Sequence, residues 1–553
     1  MNFSDRLSEG FQHQQNGRYQ QAKEIYEEVL SGDPENPEAL YLIGMLALQT
    51  GFVQPATQYL IHALNFGNTQ PDLFANLAMM LRAQNNITDA HKVLLHGLSI
   101  IPDDVILMTM LGTLLRDTHH YDKSLKALQH AIELEEASPS HLELARTLQA
   151  MDRQDQAEIH FKKSISLEPN GTNNYFYGLF LAYAGQNEAA IEQFKKALTY
   201  DPNSQIVLHN LGFNLYTHGQ RDESLETFLH CLKINPNNSD AHALYAFPLL
   251  LSGQYEQGWK EYEWRFKTLS FPPPPLTLES PVWKKEPIKD KTILLLGEQG
   301  YGDTFQFVRF ADQLSAMGAK VLVAAPDPVL GILKGVPGVD DVFSFSETNV
   351  PDHDYHIYMM SLPERLGITL PSLSKTTIPY LFADQQLCKT WKDFFTSHKK
   401  FNIGIVWNGN PDQRTNKKRS CPLSALSPLF DLEDVQLFSL AKTRPQDEGP
   451  LPDQMIDLGE HLHSFSDTAA IMQNLDLVIS VCTSTAHLAG ALGRPVWVLL
   501  AASADWRWLL DRDDSPWYPT ARLMRQETLH DWDHLIQKVA KDLSLQERQK
   551  LLS

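Results

Sequence analysis

The sequence predicts an α-solenoid of stacked helical hairpins in the first half of the chain and an α/β region of two similar halves in the second. Two observations carry this prediction. Small residues recur at intervals of 33 or 34 residues in the first half, and short β-branched and leucine-rich runs alternate with amphipathic segments in the second. We therefore expect an array over residues 1–268, a Pro-rich linker over 269–287, and two α/β halves over 288–395 and 396–553.

Three positional series share the repeat period. The first consists of small residues: Ala22, Ala56, Ala90, Ser124, Ala157, Ala190, Ser224 and Gly258. The second is also small and lies twelve residues earlier in each unit: Gly10, Gly44, Ala78, Gly112, Ala145, Gly178, Gly212 and Ala246. The third is large and apolar and follows the first by four residues: Tyr26, Leu60, Leu94, Leu128, Phe161, Phe194, Phe228 and Tyr262. Two small positions in each unit indicate two closely packed helices, and eight such hairpins are expected to stack because one alone cannot bury its apolar face.

Stretches such as "GRYQQAKEIYEEVLSGDPEN" and "GQNEAAIEQFKKALTYDPN" make this half resemble the tetratricopeptide repeat family. The resemblance implies a scaffold that binds partners and does not identify them. The run of prolines from Pro272 to Pro275 is expected to be an extended spacer after the last unit. The sequence "YEWRF", from Tyr262 to Phe266, is expected to fasten the array to the region that follows.

Composition limits the function classes. The chain has 553 residues and a net charge of −20, which disfavours wholesale binding to nucleic acid or to an anionic membrane. No apolar run approaches the length of a membrane span, and "MNFSDRLSEGFQHQQNG" lacks the features of a secretory signal. The four cysteines have no metal-binding spacing and are interpreted as reduced thiols. We therefore expect a cytoplasmic location.

A glycine-rich turn follows the first strand of the α/β region. Its sequence, from Gly297 to Asp303, places three glycines between a buried strand and a helix, where backbone can approach a ligand closely. Asp303 near the helix start is expected either to act as a general base or only to cap the helix. The turn is not a GxGxxG fingerprint and no lysine follows as in a P-loop, so it disfavours nicotinamide binding and ATP hydrolysis.

The second half offers two features that suit phosphate. The segment "VCTSTAHLAGALGRP" follows a strand and opens a helix, whose amino end near Thr483 to His487 provides free N–H groups and a positive dipole. The loop "GNPDQRTNKKRSCPL" follows another strand and collects four cations: Arg414, Lys417, Lys418 and Arg419. They are expected to bind a diphosphate or to form a solvated basic loop. His487 is expected to be a ligand-site residue or a core histidine.

The second half of the chain also resembles a known family. The motifs "LLLGEQGYGDTFQFVRF", "GIVWNGNPDQRTNKKRSCPL", "SDTAAIMQNLDLVISVCTSTAHLAGALGRPVWVLL" and "DWRWLLDRDDSPWYP" are similar to the C-terminal domains of bacterial repeat-containing glycosyltransferases, which are related to the heptosyltransferases of glycosyltransferase family 9. The resemblance implies a GT-B fold of two Rossmann-like halves, with a nucleotide sugar in the cleft between them.

The same resemblance assigns roles to residues. Asp303 becomes the base that deprotonates an acceptor hydroxyl. The donor-binding residues become Gly300, Gly302, Asn408, Lys417, Lys418, Arg419, Thr483, Ser484, Thr485 and His487. The reaction is expected to need no metal and no cofactor besides the nucleotide-sugar donor, because the helix dipole and cations neutralise the departing diphosphate. The chain departs from relatives at Cys482, where they usually have aspartate, and at Asn416, where many have an acid.

A row of residues two positions before the early small residue of each unit is expected to face the concave side of the array. Its members are Leu42, Asn76, Met110, Glu143, Phe176, Asn210 and Leu244. In eukaryotic O-GlcNAc transferases, whose plan this chain resembles, the row is an asparagine ladder that binds peptide backbone. Only Asn76 and Asn210 keep it here, and the apolar members (Leu42, Met110, Phe176 and Leu244) suggest that a helix or folded protein surface docks. Packing inside the superhelix is the alternative.

These interpretations lead to a first hypothesis and two alternatives. The first is a metal-independent, inverting glycosyltransferase that acts on Ser or Thr hydroxyls of a docked protein, with flagellin as the candidate that the family resemblance suggests. The alternatives are an interaction scaffold that has lost activity, and a heptosyltransferase-like enzyme of lipopolysaccharide core. The aromatic and Arg-rich segment from Asp505 to Gln526 is expected to brace the two α/β halves.

Overall fold

A computed structural model describes residues 3–272, 276–347, 350–373, 377–410, 416–445, 448–543 and 548. The chain divides into two compact units, Met1–Val207 and Leu208–Ser553, which we call the N-terminal and C-terminal units. The sequence pattern places the end of the repeats near residue 268, whereas packing groups the last two hairpins with the α/β region.

Helical hairpins make up the described chain as far as Lys267. Their α-helices are α1 (Phe3–Gln15), α2 (Tyr19–Gly32), α3 (Pro37–Gln49), α4 (Val53–Asn65), α5 (Pro71–Ala83), α6 (Ile87–Ile100), α7 (Val105–Asp117), α8 (Tyr121–Leu134), α9 (Ser138–Ala150), α10 (Gln154–Leu167), α11 (Gly171–Tyr183), α12 (Asn187–Tyr200), α13 (Gln205–Thr217), α14 (Arg221–Ile234), α15 (Ser239–Leu251) and α16 (Tyr255–Tyr262). A short 3-10 helix, Glu263–Lys267, ends the last hairpin. The predicted hairpins are confirmed.

The periodic glycines are explained by contacts inside each hairpin. A Cβ atom added to Gly112 would lie 2.5 Å from Leu128 Cγ, and one added to Gly178 would lie 2.8 Å from Phe194 Cε1. Leu128 and Phe194 belong to the large apolar series and are fully buried. The small residue on the first helix therefore makes room for the large residue on the second, which is why the two series keep the same period.

The last hairpin shares its hydrophobic core with the α/β region. Trp259 of α16 is buried and packs edge-on against Trp506, with ring centroids 5.3 Å apart. Trp517 Nε1 donates a hydrogen bond to Tyr255 Oη at 3.0 Å. The repeats therefore end inside the C-terminal unit rather than at a free linker.

Two parallel sheets form the α/β region. The first has the strand order β3-β2-β1-β4 and the second β10-β9-β8-β5-β6-β7. Their strands are β1 (Thr292–Leu296), β2 (Lys320–Ala325), β3 (Asp341–Ser344), β4 (Tyr355–Tyr358), β5 (Phe401–Val406), β6 (Val435–Ser439), β7 (Met455–Asp457), β8 (Leu477–Val481), β9 (Val496–Leu500) and β10 (Ala521–Arg525). The pairings between these ten strands are parallel, as buried β-branched and leucine-rich runs predict.

Helices lie between these strands or follow the last of them. They are α17 (Tyr301–Phe307), α18 (Ala311–Ala316), α19 (Asp327–Leu333), α20 (Leu362–Arg365), α21 (Leu370–Leu373), α22 (Gln385–Ser397), α23 (Asn416–Arg419), α24 (Ser427–Phe430), α25 (Phe465–Gln473), α26 (Ser484–Ala491) and α27 (Trp532–Asp542). The remaining 3-10 segments are Val308–Phe310, Met359–Ser361, Leu423–Leu426, Gly459–His461 and Trp506–Trp508. Two α/β halves in tandem are thus present.

Part of the predicted linker packs against the first sheet. Trp283 is buried, its N–H donates to His356 O at 2.9 Å, and its indole donates to Glu286 O at 2.9 Å. Pro273, Pro274 and Pro275, for which extended chain is predicted, lie outside the described residues.

Candidate functional site

The second sheet has a point where the chain changes direction. From β5 the chain moves outward through β6 and β7, and then returns to place β8 beside β5 before continuing to β9 and β10. This is the 3-2-1-4-5-6 order of doubly wound nucleotide-binding sheets, in which a crevice opens outside the carboxyl ends of the two central strands. A ligand site is therefore expected beyond Val406 of β5 and Val481 of β8.

Arg419 spans this crevice. Its Nη1 donates to Cys482 O, after β8, at 3.2 Å, and its Nε donates to Asn416 Oδ1 at 3.3 Å. A Cβ atom added to Gly409, after β5, would lie 2.7 Å from Arg419 Nη2. Asn408, also after β5, is buried and donates through Nδ2 to Thr443 O at 3.3 Å. The structure thus brings Asn408 and Arg419 together at the carboxyl edge. The side chains of Lys417 and Lys418, and all of Arg414, lie outside the described part of the chain.

Helix α26 begins at the same edge. Thr483 is its N-cap residue in an extended conformation, and no side chain caps the first turn. The hydroxyl groups of Ser480 and Thr483 are hydrogen-bonded at 3.1 Å. The N–H groups of Ser484 and Thr485 in this first turn have no partner within the helix, which is the arrangement that suits an anion.

His487 joins the two halves. A Cβ atom added to Gly302 of α17 would lie 2.8 Å from His487 Cδ2, so the absence of a side chain at Gly302 allows α17 and α26 to approach closely. The buried imidazole lies nearly parallel to the Trp508 ring, with centroids 5.3 Å apart, and its Nδ1 is hydrogen-bonded to Tyr518 Oη at 2.9 Å. Burial, together with Arg507, Arg309 and Arg419, holds the pKa of His487 well below its usual range.

The lowered pKa of His487 predicts that folding stability depends on pH. Because the native state holds His487 neutral, the unfolded state binds more protons below a pH of about 6.5, and stability is lost as pH falls from there. We expect His487→Gln to flatten this dependence by up to about 1.4 kcal/mol per pH unit. The measurement is urea unfolding followed by tryptophan fluorescence from pH 5 to 8, with exposed His463→Gln as the matched control. Identical slopes in the two variants would contradict the expectation.

Asp303 occupies the third position of α17. Its Oδ2 accepts the Gly300 N–H at 2.8 Å, and its Oδ1 accepts from Arg507 Nη2 at 2.5 Å. Burial raises the pKa of Asp303, while Arg507 and the Gly300 N–H act in the opposite direction. The carboxylate therefore caps the helix and also pairs with a cation, a partner that nothing in the local sequence indicates.

The aromatic and Arg-rich tail segment braces the two halves, as predicted. Arg507 also donates to Gln306 Oε1 at 2.8 Å and to Asp505 Oδ1 at 2.9 Å. Arg309, buried after α17, donates to Trp517 O at 2.9 Å and to Tyr380 Oη at 2.6 Å. Sequence reasoning missed Gln306 and Arg309, because only their long-range partners distinguish them from ordinary helix residues.

Cys482 stands where the resemblance leads one to expect a carboxylate. Trp508 Nε1 lies 3.1 Å from its Sγ. Burial raises the pKa of the Cys482 thiol to about 11, so the side chain is uncharged at neutral pH. The end of β8 therefore carries no negative charge at this position.

Two pockets adjoin the glycine-rich turn. The first, of about 410 Å³, is lined by His209, Asp240, Ala243, Leu244, Phe247, Tyr262, Arg265, Thr268, Ser270, Phe271, Pro272 and Gln299. The second, of about 220 Å³, is lined by Phe271, Pro272, Gly297, Glu298, Gln299, Gly300, Thr304, Pro326, Phe345 and Tyr358. Gln299 lines both, and its amide donates to Tyr262 Oη at 2.5 Å. Leu244 of the predicted docking row thus lines a cavity that adjoins the turn.

The predicted docking residues are half-buried in both units. In the N-terminal unit these are Leu42, Asn76, Met110, Glu143 and Phe176, and in the C-terminal unit Asn210 and Leu244. Their side chains are therefore neither free in solvent nor fully packed in the core.

Comparisons with known proteins identify the first half. Family models of the tetratricopeptide repeat match residues 13–75 and 72–267, so this part of the chain consists of tetratricopeptide repeats. Such repeats are a scaffold for protein interaction. The chain thus carries tetratricopeptide repeats in its first half and an α/β region of parallel sheets in its second.

One relative is Protein FlbA of Caulobacter vibrioides, which is 23% identical over 569 residues, covering 95% of this chain and 81% of FlbA. Among solved structures, YrrB, described as a TPR protein with an unusual peptide-binding site, is 18% identical with a TM-score of 0.27 and covers 31% of this chain and 89% of its own. A tetratricopeptide repeat protein from Parabacteroides merdae is 15% identical with a TM-score of 0.39, and the match covers 44% of this chain and 97% of that protein's chain. Among the described residues, no helix is both long and apolar enough to cross a bilayer.

Proposed function

We propose that the protein is a glycosyltransferase of GT-B architecture that transfers a sugar from a nucleotide-sugar donor to a Ser or Thr hydroxyl of a protein docked on the repeats. The observation that carries this proposal is the contact of Arg419 with Cys482 O, just before the N-cap residue of α26, at the crevice between β5 and β8. A guanidinium and a helix amino end together suit a diphosphate, which carries several negative oxygens.

In the proposed reaction the donor diphosphate binds to Arg419, to the N–H groups of Ser484 and Thr485 and to the hydroxyl of Thr483. Asp303 takes the proton of the acceptor hydroxyl, whose oxygen attacks the anomeric carbon from the face opposite the diphosphate. The bond from that carbon to the diphosphate oxygen breaks, and the oxygen leaves with the electron pair. This displacement inverts the anomeric centre, and the cation and helix dipole stabilise the leaving group.

The position of Asp303 supports this arrangement. It follows Gly302, which touches His487 on α26, so the proposed base and the proposed diphosphate site lie on helices in direct contact. The acceptor chain would reach the base through the two pockets, from Leu244 past Gln299 to Gly300. Flagellin as the acceptor belongs to the proposal and rests on the family resemblance.

A second candidate, an interaction scaffold without activity, is favoured by two observations. Both carboxylate oxygens of Asp303 are engaged, by Gly300 and Arg507, and Cys482 supplies no charge where relatives have aspartate. A scaffold would retain its partner on the repeats while binding no donor.

Calorimetric titration with the diphosphates of adenosine, cytidine, guanosine and uridine tests the proposal. We expect one of them to bind, and Arg419→Gln to weaken that binding by about ten- to a hundredfold, since hydrogen bonds to charged groups contribute about 1.5–3 kcal/mol. Arg522→Gln is the matched control, because Arg522 lies on the edge strand β10 and pairs with Asp542 at 2.6 Å. Binding of none of the four, or equal binding by Arg419→Gln, would favour the scaffold.

A further inference from the structure

An ion-pair network crosses the first helices of three successive hairpins in the N-terminal unit. Arg82 of α5 donates through Nε to Asp117 Oδ2 at 2.8 Å, and Arg116 Nη2 donates to Asp117 Oδ1 at 2.9 Å. Arg116 also pairs through Nη1 with Glu143 of α9. Arg146 Nη1 donates to the two oxygens of Glu143 at 2.9 and 3.2 Å. We call these five residues the arginine strip.

The arginine strip carries one positive charge that its own carboxylates do not balance. Three guanidinium groups share two carboxylates, and the central one, Arg116, is only 7% exposed. Charges removed from water need a partner, so an unbalanced cation in a half-buried strip favours an incoming anion. Burial lowers the pKa of Arg146, and Arg116 acts in the same direction, while Glu143 and Asp117 act in the opposite one.

Arg146 has an open edge. Its side chain is 27% exposed, and among the described residues its Nε and Nη2 have no hydrogen-bond partner. The guanidinium carbon lies 4.2 Å from the centroid of the Phe176 ring, which fixes the orientation of the planar group. A guanidinium that is held flat with one free N–H edge matches the two oxygens of a carboxylate.

Apolar side chains flank the arginine strip. Phe176 lies beneath Arg146. Met79 precedes Arg82 by three residues on α5, and Met110 precedes Asp117 by seven on α7, so helical spacing places each methionine on the face that carries the strip residue. Met79 is 48% exposed. A free inorganic anion would use the cation and leave these side chains in water. A polypeptide with alternating acidic and apolar side chains would use both.

We propose that the arginine strip, with Met79, Met110 and Phe176, binds an acidic, extended segment of a partner protein, one carboxylate of which pairs with the open edge of Arg146. The proposal does not depend on glycosyltransferase activity. It follows from charge complementarity within the N-terminal unit, and the partner is defined by its chemistry: carboxylates interspersed with apolar side chains.

Fluorescence anisotropy on the full chain tests this, with a labelled short peptide of alternating Glu and Phe as the probe and its Gln-Phe counterpart as the comparison. We expect the acidic peptide to bind at least about tenfold more tightly than the neutral one. We expect Arg146→Gln to weaken binding of the acidic peptide by about tenfold or more. Arg153 is an exposed arginine of the same hairpin, and Arg153→Gln should leave the affinity for the acidic peptide unchanged.

A second variant should change affinity in the opposite direction. Glu143→Gln removes a carboxylate that competes for Arg116 and Arg146, so we expect it to bind the acidic peptide more tightly than the unsubstituted protein does. A network with only a structural role would not gain affinity when one of its members is lost. Circular dichroism melting of each variant shows that it is folded, and Arg146→Lys, which keeps the charge but not the planar edge, should give intermediate binding if Arg146→Gln does not fold.

Several outcomes would overturn the proposal. The first is equal binding of the acidic and neutral peptides. The second is an equal loss of affinity for the acidic peptide in Arg146→Gln and Arg153→Gln. The third is weaker binding of the acidic peptide by folded Glu143→Gln than by the unsubstituted protein. Displacement of the acidic peptide by an equal concentration of inorganic phosphate would show a site for a small anion and overturn the assignment to a polypeptide segment.

Discussion

Asp303→Asn is expected to lower the rate of sugar transfer by a factor of about 10² to 10⁴, the usual contribution of a general base, while donor binding is unchanged. Asparagine keeps the oxygen that accepts the Gly300 N–H, so the start of α17 remains capped. It loses the negative charge that takes the proton. The measurement is the initial rate of transfer, with nucleotide binding measured on the same preparation.

The pH profile separates a base from a structural carboxylate. A base must be ionised, so the rate should fall as pH decreases through the pKa of Asp303, which burial raises. This acid limb should be absent from the residual activity of Asp303→Asn. Asp505→Asn is the matched control, because it also removes a carboxylate from Arg507 but leaves Asp303 in place.

Asp505→Asn is expected to shift the pH profile in a defined direction. Asp505 is one of the groups that raise the pKa of Asp303, so Asp505→Asn should keep the acid limb and move it to lower pH. Equal losses of rate in the two variants, with the acid limb retained in both, would mean that Asp303 only holds Arg507 in place.

The repeats could be predicted from local spacing because the residues that pack against each other lie within the same repeat. Gly112 and Leu128 lie sixteen residues apart and in contact, so one short stretch contains both partners of the packing pair. The strands and the glycine-rich turn were predictable for the same reason. Their signals, a buried run followed by glycines and a helix, are contained in a few consecutive residues.

The environment of the candidate site could not be predicted in this way. The residue that pairs with Asp303 is Arg507, 204 residues later, and Arg309 interacts with Trp517 across 208 residues. Such pairs depend on how the two sheets and the last hairpin pack, and a charged residue in a helix is usually solvated. The sequence therefore indicates which groups lie at strand ends and not which of them are already paired.

Arg265→Met is expected to destabilise the C-terminal unit by about 3–5 kcal/mol, because it leaves a buried carboxylate without its cation. Arg265 ends the last hairpin, and its Nε and Nη2 donate to the two oxygens of Glu298 at 3.1 and 2.9 Å. The side chain of Glu298 is 4% exposed, and the residue lies in the glycine-rich turn. Arg265 also donates to Ser361 Oγ at 2.9 Å, so one guanidinium joins the last repeat to the segments that follow β1 and β4.

Tryptophan fluorescence isolates this effect. All ten tryptophans follow residue 258, so urea unfolding followed by their emission reports on the C-terminal unit alone. Lys285→Met is the comparison. The ion pair between Lys285 and Glu364 is exposed at the lysine end, and such ion pairs contribute about 1 kcal/mol or less to the free energy of unfolding.

The double variant Arg265→Met with Glu298→Gln identifies the cause. If the cost comes from the unpaired carboxylate, replacing Glu298 should restore much of the lost stability, and the two substitutions should be strongly non-additive. Additive losses would mean instead that Arg265 acts mainly through its contacts with Tyr262, Phe266 and Ser361. In the first case the position of the turn that carries Gly300 depends on a charge supplied by the last repeat.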